Sequence, residues 1–482
     1  MPRPPHRKGD RVDTYDLCVI GSGPAGQKAA IQAAKLGRRV IVVERRETVG
    51  GVAINTGTIP SKALREAILN LAGRRTAAPT TEDFHAARKH TFVGLQHATA
   101  AVIGHEVDIV QSQLMRNGVE IVHGHARFTG SKSVRVEGVR GIIDIEADNF
   151  LIAVGTKPAK PDSYDFDGSN IVTSDELFQL SYLPHTMLVV GGGVIGTEYA
   201  SMMAALGVRV TLIEGRDRLL DFLDGEIVEA LQYHLRQAGV TLRLGEKVVK
   251  IDKVEPPRGA RSVNDCIAQA TLESGKTLRA DCLLYAIGRQ GATADMGLEN
   301  AHLTPDKRGR IEVNSVLKTT ADGIYAAGDV IGFPALASTS MEQGRIAACE
   351  MFDHPHDPQE ELLPYGIYSI PEISMVGWTE RKLTDEGIPF ESGVANYREI
   401  ARGKLLGDEH GMLKMLVHQE SRVILGVHAI GSGATELIHI GQCAIAFKAT
   451  VDYFVDAVFN YPTLAECYKV AAFNAVNKIE GV

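Results

Sequence analysis

Two hexapeptides in this 482-residue chain have the spacing GxGxxG: Gly21-Ser22-Gly23-Pro24-Ala25-Gly26 and Gly191-Gly192-Gly193-Val194-Ile195-Gly196. Each follows a short apolar run and precedes a helix-forming stretch, the context in which this spacing binds a dinucleotide. The first glycine of each set, Gly21 or Gly191, permits a tight turn. Gly23 and Gly193 let the backbone approach a pyrophosphate, and Gly26 and Gly196 let the helix pack on a sheet. The helix N-terminus then offers N–H groups and partial positive charge to the phosphates. Each unit is followed by an acidic residue at the end of the next apolar run, Glu44 and Glu214, placed to accept hydrogen bonds from a ribose diol. Glu214 opposes a 2′-phosphate, whereas Arg216 and Arg218 just beyond it suit one.

These residues require two βαβ units. In the first, the pattern predicts a strand over 16–20, a helix over 27–36 and a strand over 39–43. In the second it predicts a strand over 187–190, a helix over 197–206 and a strand over 209–213. Between them the stretch 59–117 reads as helical, followed by strands near 119–128 and 133–145. Two further strand-turn segments end at Gly155 (after Ala153) and Gly288, where the chain can pass close to a ligand. The run 324–329 ends in Gly328-Asp329, and 336–339 leads into a helix, with Thr339-Ser340-Met341-Glu342 fitting a capping box. Residues 354–361 read as a linker to a third domain. The fold expected is α/β, with two Rossmann-like dinucleotide-binding domains and a C-terminal α+β domain. The boundaries expected are 1–157 and 282–355 for the first domain, 158–281 for the second and 356–482 for the third.

Composition narrows the class. Hydrophobic residues make up 44% and charged residues 23% of the chain, as in folded globular proteins. The formal net charge of −8 disfavours non-specific nucleic-acid binding. No segment is long and apolar enough to span a bilayer, and the basic, proline-containing residues 1–14 lack the apolar run of a signal peptide, reading instead as a short disordered arm. Six cysteines, Cys18, Cys266, Cys282, Cys349, Cys443 and Cys467, show no short metal-ligand or redox spacing, so no metal site is expected and a cytoplasmic location is.

The run from Gly50 to Lys62, Gly50-Gly51-Val52-Ala53-Ile54-Asn55-Thr56-Gly57-Thr58-Ile59-Pro60-Ser61-Lys62, resembles the active-site segment of the class I flavoprotein disulfide reductases. The resemblance extends from Asp16 to about Lys478. That family has cysteines where this chain has Ala53 and Thr58, and a histidine where this chain has Tyr461, in Asn460-Tyr461-Pro462-Thr463 followed by Glu466. Tyrosine, with an ordinary pKa near ~10, is a poor proton shuttle at neutral pH. Without a dithiol the chain has no means of exchanging electrons with a disulfide. Both departures are shared by the pyridine nucleotide transhydrogenase branch of that family, which the chain resembles.

The resemblance implies FAD as cofactor and NAD and NADP as substrates, with hydride passing from NADPH to the flavin and then to NAD. It makes Asp329 a FAD ligand and Ala337 a cofactor contact, gives the start of the helix after 336–339 to the flavin's pyrimidine end, and puts Lys62 beside flavin N5, paired with Glu198. The wider set implied for cofactor contact adds Arg45, Val52, Thr58 and Ala126. The segment 365–373, with the strand 424–430, resembles the start of the family's dimerisation domain and implies a homodimer. Oxygen or a quinone as acceptor, and a catalytically silent flavoprotein, remain open alternatives.

Overall fold

The computed structural model describes residues 13–72, 81–256, 265–356 and 362–481. Residues 1–12 of the arm expected at 1–14, and most of the linker expected at 354–361, lie outside the described residues; Asp13 and Thr14 belong instead to the first strand. The chain forms two compact units. The first takes residues up to 64, with 94–159 and 288–359; the second takes 65–93, 160–287 and 360–482, where described.

The first unit is built on a seven-stranded sheet. Strands Glu120–His123, Val40–Glu44, Asp13–Ile20 and Gly141–Ile152 run parallel side by side. The long strand Gly141–Ile152 divides its partners: residues 141–146 pair antiparallel with Ser133–Gly138, and residues 150–152 pair parallel with Ile324–Ala326. Strands buried on both faces read as continuous apolar runs, as Val40 to Val43 do. The strand expected over 119–128 is two strands. Gly124 interrupts it, and a Cβ there would lie 2.6 Å from a Val136 methyl.

On one face of this sheet the helix Pro24–Lys35 packs against Ala337–Met351. The contact is made by small residues. A Cβ on Gly344 would fall 2.0 Å from the Ala25 carbonyl oxygen, so only glycine allows this approach.

The second unit holds a parallel sheet in the order Thr241–Leu244, Arg209–Glu214, Thr186–Val190, Cys282–Tyr285, Ile171–Thr173. A three-stranded antiparallel sheet, Val248–Val254, Ile267–Leu272 and Thr277–Ala280, accompanies it. The C-terminal part is a five-stranded antiparallel sheet, in which Ile424–Ile430 is central, covered by helices Ala434–Ala446 and Glu466–Glu480. Inside this unit Lys414, fully buried, meets Asp224, Glu226 and Glu380 at 2.9, 3.0 and 2.9 Å. Asp224 also caps the helix Gly225–Gln237. The mixed α/β architecture matches the expected fold class. No helix among the described residues is long and apolar enough to cross a membrane.

Candidate functional site: two carboxylate-clamped glycine turns

Both helices after the glycine turns begin three residues earlier than the pattern predicts, at Pro24 and Val194. Gly23 and Gly193 are their N-caps and supply no side-chain acceptor, so the first-turn N–H groups are left to a ligand. Pro24 at the first helical position sacrifices no intrahelical bond.

The glycines separate into roles. Gly21 and Gly191 sit at φ +105° and +110°, and a Cβ there would meet the carbonyl oxygens of Ala153 and Ala286 at 2.4 and 2.7 Å. Gly26 and Gly196 are packing glycines, where a Cβ would fall 1.9 and 1.8 Å from the Gly21 and Gly191 oxygens. At Gly23 and Gly193 a Cβ would meet nothing within 4 Å. The protein has no internal need for glycine at these two positions, and open space in front of the helix N-terminus is what a pyrophosphate requires.

Each acidic strand end closes back on its turn. Glu44, buried, accepts the Ser22 N–H at 3.0 Å and the Ser22 hydroxyl at 2.5 Å on one oxygen, and the Arg46 N–H at 2.9 Å on the other. Glu214 accepts the Gly192 N–H at 2.6 Å and the Arg216 N–H at 3.0 Å in the same pattern. It differs in taking the Arg216 side chain as well, Nε at 3.0 Å and Nη2 at 3.1 Å. Burial works against the charged form of Glu214, but bonds from Arg216 and Gly192 outweigh it and hold the carboxyl below the usual range.

In the first unit the turn is continuous with the flanking segments. The Ser22 hydroxyl accepts the Gly50 N–H at 3.0 Å, and a Cβ on Gly51 would lie 2.7 Å from Gly23 Cα. Val52 and Ala53 lie in the short helix Gly51–Asn55, and Thr58, exposed, opens the helix Thr58–Ala72 that carries Lys62. Gly328, at φ +83°, packs near Ala25 and Ser340, and its N–H is held by Gln343 at 2.9 Å. Asp329 accepts the hydroxyls of Thr156 and Ser340, both at 3.4 Å. Burial pushes its carboxyl above the ordinary range, opposed by Arg289. Gly155 and Gly288 take positive φ with open space beside them. Arg45 is exposed, and Ala126 is buried in the sheet core with Ile41 and Val43.

The helix after Asp329 corrects one expectation. It starts at Ala337 with Leu336 as N-cap, and no side chain caps it. Thr339 therefore lies inside the first turn, where its hydroxyl is buried without a partner. An uncapped helix start with an orphaned buried hydroxyl fits an electron-rich ligand edge. Within the same unit, the Gly21 turn leaves uncapped helix N–H groups as well, and Asp329 adds a carboxylate acceptor.

In the second unit Glu198, buried, accepts the Tyr368 N–H at 2.8 Å, and Ile195 lies half-buried on the same helix. Sequence reasoning passed over Ser22 as the clamp on Glu44, Thr156 and Ser340 as partners of Asp329, and Asp221, which meets Arg216 Nη1 at 2.5 Å. A hydroxyl or acid near a known motif was the available signal, but its direction was not.

All six cysteines are free thiols, and none lies in 50–62. Burial raises the Cys18, Cys282, Cys349 and Cys467 thiols, Cys467 to about 12, so they stay protonated and inert at neutral pH. No group of metal-ligating side chains occurs among the described residues.

Residues 15–344 match the family described as pyridine nucleotide-disulphide oxidoreductase, and residues 363–472 match its dimerisation domain. The chain is 50% identical over 470 residues to the soluble pyridine nucleotide transhydrogenase of Mycobacterium bovis, covering 97% of this chain and 98% of that one. It is 42% identical to the protein of that name from Colwellia psychrerythraea, covering 96% and 98%. Among solved structures it resembles the HOCl-induced flavoprotein disulfide reductase RclA from Escherichia coli, at TM-score 0.85 and 27% identity over 96% of this chain and 99% of that one. LpdA from Mycobacterium tuberculosis follows at 0.83 and 25%, over 95% and 99%. The chain is thus a flavoprotein-type oxidoreductase that belongs to the pyridine nucleotide-disulphide oxidoreductase family, on the branch of the soluble pyridine nucleotide transhydrogenases.

Proposed function

We propose that this protein is an FAD-dependent NAD(P) transhydrogenase, catalysing NADPH + NAD⁺ = NADP⁺ + NADH in a ping-pong sequence. The observation that carries the reading is the pair of clamped glycine turns in a chain with Ala53 and Thr58 where a redox dithiol would stand. Bound FAD supplies a two-electron relay that accepts hydride from one nicotinamide and returns it to the other.

The chain's own residues bind and orient. The Gly21 turn, Glu44 and Asp329 hold FAD, and the Ala337 helix start favours negative charge on the reduced ring. The Gly191 turn and Glu214 hold NAD and NADP in succession at one site. Lys62 stabilises charge beside the reacting atoms. The exposed Val458, Tyr461 and Phe473 of the C-terminal part support assembly as a homodimer. The two nicotinamides are chemically alike, so the ratio of the nucleotide pools sets the direction, and a cytoplasmic location fits that role.

The test is to reduce the purified holoprotein with NADPH, remove free nucleotide, and offer NAD, oxygen, a quinone and lipoamide separately. Rapid reoxidation by NAD is expected. Failure with NAD and success with quinone assigns the protein to the quinone reductases instead. Lys62→Met is expected to slow flavin reduction by NADPH about 100-fold or more, the scale of losing a transition-state electrostatic group.

A further inference from the structure

We propose that Asp221 is a positioning residue that sets discrimination between nucleotides with and without a 2′-phosphate, by competing with that phosphate for the Arg216 guanidinium. The inference rests on the reading that the second turn holds both NAD and NADP.

Arg216 lies between two carboxylates. Its Nε and Nη2 donate to Glu214 at 3.0 and 3.1 Å, and its Nη1 donates to Asp221 at 2.5 Å. Three of the five guanidinium N–H groups are thereby directed at carboxylates. Two acids and one guanidinium sum to a charge of about −1. A ribose 2′-hydroxyl is neutral and can donate to a remaining lone pair of Glu214 with this arrangement intact. A 2′-phosphate has to draw Arg216 away from one of these two carboxylates.

The partner released first is Asp221. The Glu214 side chain is only 10% exposed and holds the glycine turn through Gly192, whereas the Asp221 side chain is 48% exposed. A solvent-screened ion pair is the weaker of the two. Asp221 is nevertheless no wandering surface acid. Arg218 Nη2 donates to its main-chain carbonyl at 2.8 Å. The two residues before it, Leu219 and Leu220, are fully buried. Leu220 adopts φ +43° and donates its N–H to the Gly192 carbonyl at 3.3 Å, binding this loop to the turn. The loop thus delivers a carboxylate to Arg216 and a second cation, Arg218, to the same place.

The experiment measures dissociation constants of NADP⁺ and NAD⁺ for the oxidised holoprotein, from the perturbation of flavin absorbance. Asp221→Asn is expected to tighten NADP⁺ about two- to fivefold, the scale of an exposed ion pair, and to leave NAD⁺ unchanged. The gain shrinks as ionic strength rises, because the exposed Arg216–Asp221 pair that competes with the phosphate is itself screened. In the Arg216→Ala background the same substitution gives no gain, since nothing is left to release. Asp221→Ser repeats the result with a different side-chain shape.

Unchanged NADP⁺ binding in both variants, equal tightening of both nucleotides, or a gain that persists without Arg216 overturns the proposal. Binding is read without turnover. A protein that shows the shift but fails to pass hydride from NADPH to NAD refutes the proposed activity and keeps this inference. One that transfers hydride with an unaltered affinity ratio does the reverse.

Discussion

The two glycine turns share a backbone plan down to individual hydrogen bonds. Gly21 donates to Val43 at 2.8 Å and Gly191 to Ile213 at 2.9 Å; Ala153 donates to Ile20 at 2.9 Å and Ala286 to Val190 at 2.8 Å. Of the three positions at which the hexapeptides differ, one bears on the acid, 22 against 192. Ser22 places a hydroxyl on Glu44, whereas Gly192 has no room for a side chain, because a Cβ would lie 2.5 Å from Leu219 Cδ2. The oxygen that Ser22 covers in the first turn is covered by the Arg216 guanidinium in the second. Neutral donors from the glycine turn fix the charge environment of Glu44. A side chain on an exposed loop leaves that of Glu214 adjustable. The first turn suits a ligand that stays, and the second suits ligands that alternate.

The largest expected effect tests the shared plan. Gly26→Ala and Gly196→Ala place a methyl against a backbone carbonyl and should each cost about 3 kcal/mol or more in thermal or denaturant unfolding. Gly23→Ala and Gly193→Ala, with nothing near the added carbon, should leave stability within about 1 kcal/mol but impair binding. Gly23→Ala is expected to purify with depleted flavin, and Gly193→Ala with full flavin but weakened nucleotide binding. Equal losses of stability at Gly23 and Gly26 would falsify the division of roles.

A smaller effect separates the carboxylates. Glu44→Ala leaves the Ser22 N–H, its hydroxyl and the Arg46 N–H without their acceptor, and should cost about 2–3 kcal/mol. Glu214→Ala should cost about 1 kcal/mol less, since the guanidinium it strands is 43% exposed and keeps Asp221. Similar unfolding midpoints for the two variants would erase the contrast drawn above.

The smallest effect concerns pH and belongs to the second unit. His428 is buried, and that burial, opposed by Asp224 and the Trp378 carbonyl, depresses its pKa. The unfolded chain takes a proton that the native one excludes, so stability falls as pH drops below the ordinary histidine value of ~6.5. Asp224 is also held below its usual range, against burial, by His428 and Lys414, and its contribution survives until the pH falls through the carboxylate range. Between pH 6.5 and 5.5 the loss is therefore due to histidines, the fully buried His428 and the half-buried His234, whose pKa burial and His410 also lower. His428→Gln should flatten the dependence of thermal midpoint on pH in that interval.

What the sequence made legible was backbone. The glycine spacing, the acid at each strand end and the apolar runs between them are constraints on φ and on close packing, and both turns stand where the pattern predicts. What it concealed was direction and competition. Thr339 to Glu342 satisfies a capping box by residue type, yet the helix starts two residues earlier, at Ala337, and buries the Thr339 hydroxyl within its first turn. Ser22 is expected at the cofactor but not as a clamp on Glu44, and Asp221 carries no expectation. Their roles appear only when strands distant in sequence bring Glu44 and Glu214 back over the turns.

Ala53 and Thr58 also fix a capacity. A relative with a dithiol in this segment can hold one electron pair on sulfur and another on flavin. In this chain no cysteine lies in 50–62, so on the proposed mechanism the flavin alone stores electrons, one pair at a time. A reductive titration should end at one equivalent per flavin, and every turnover must hand on its electrons before the next can begin.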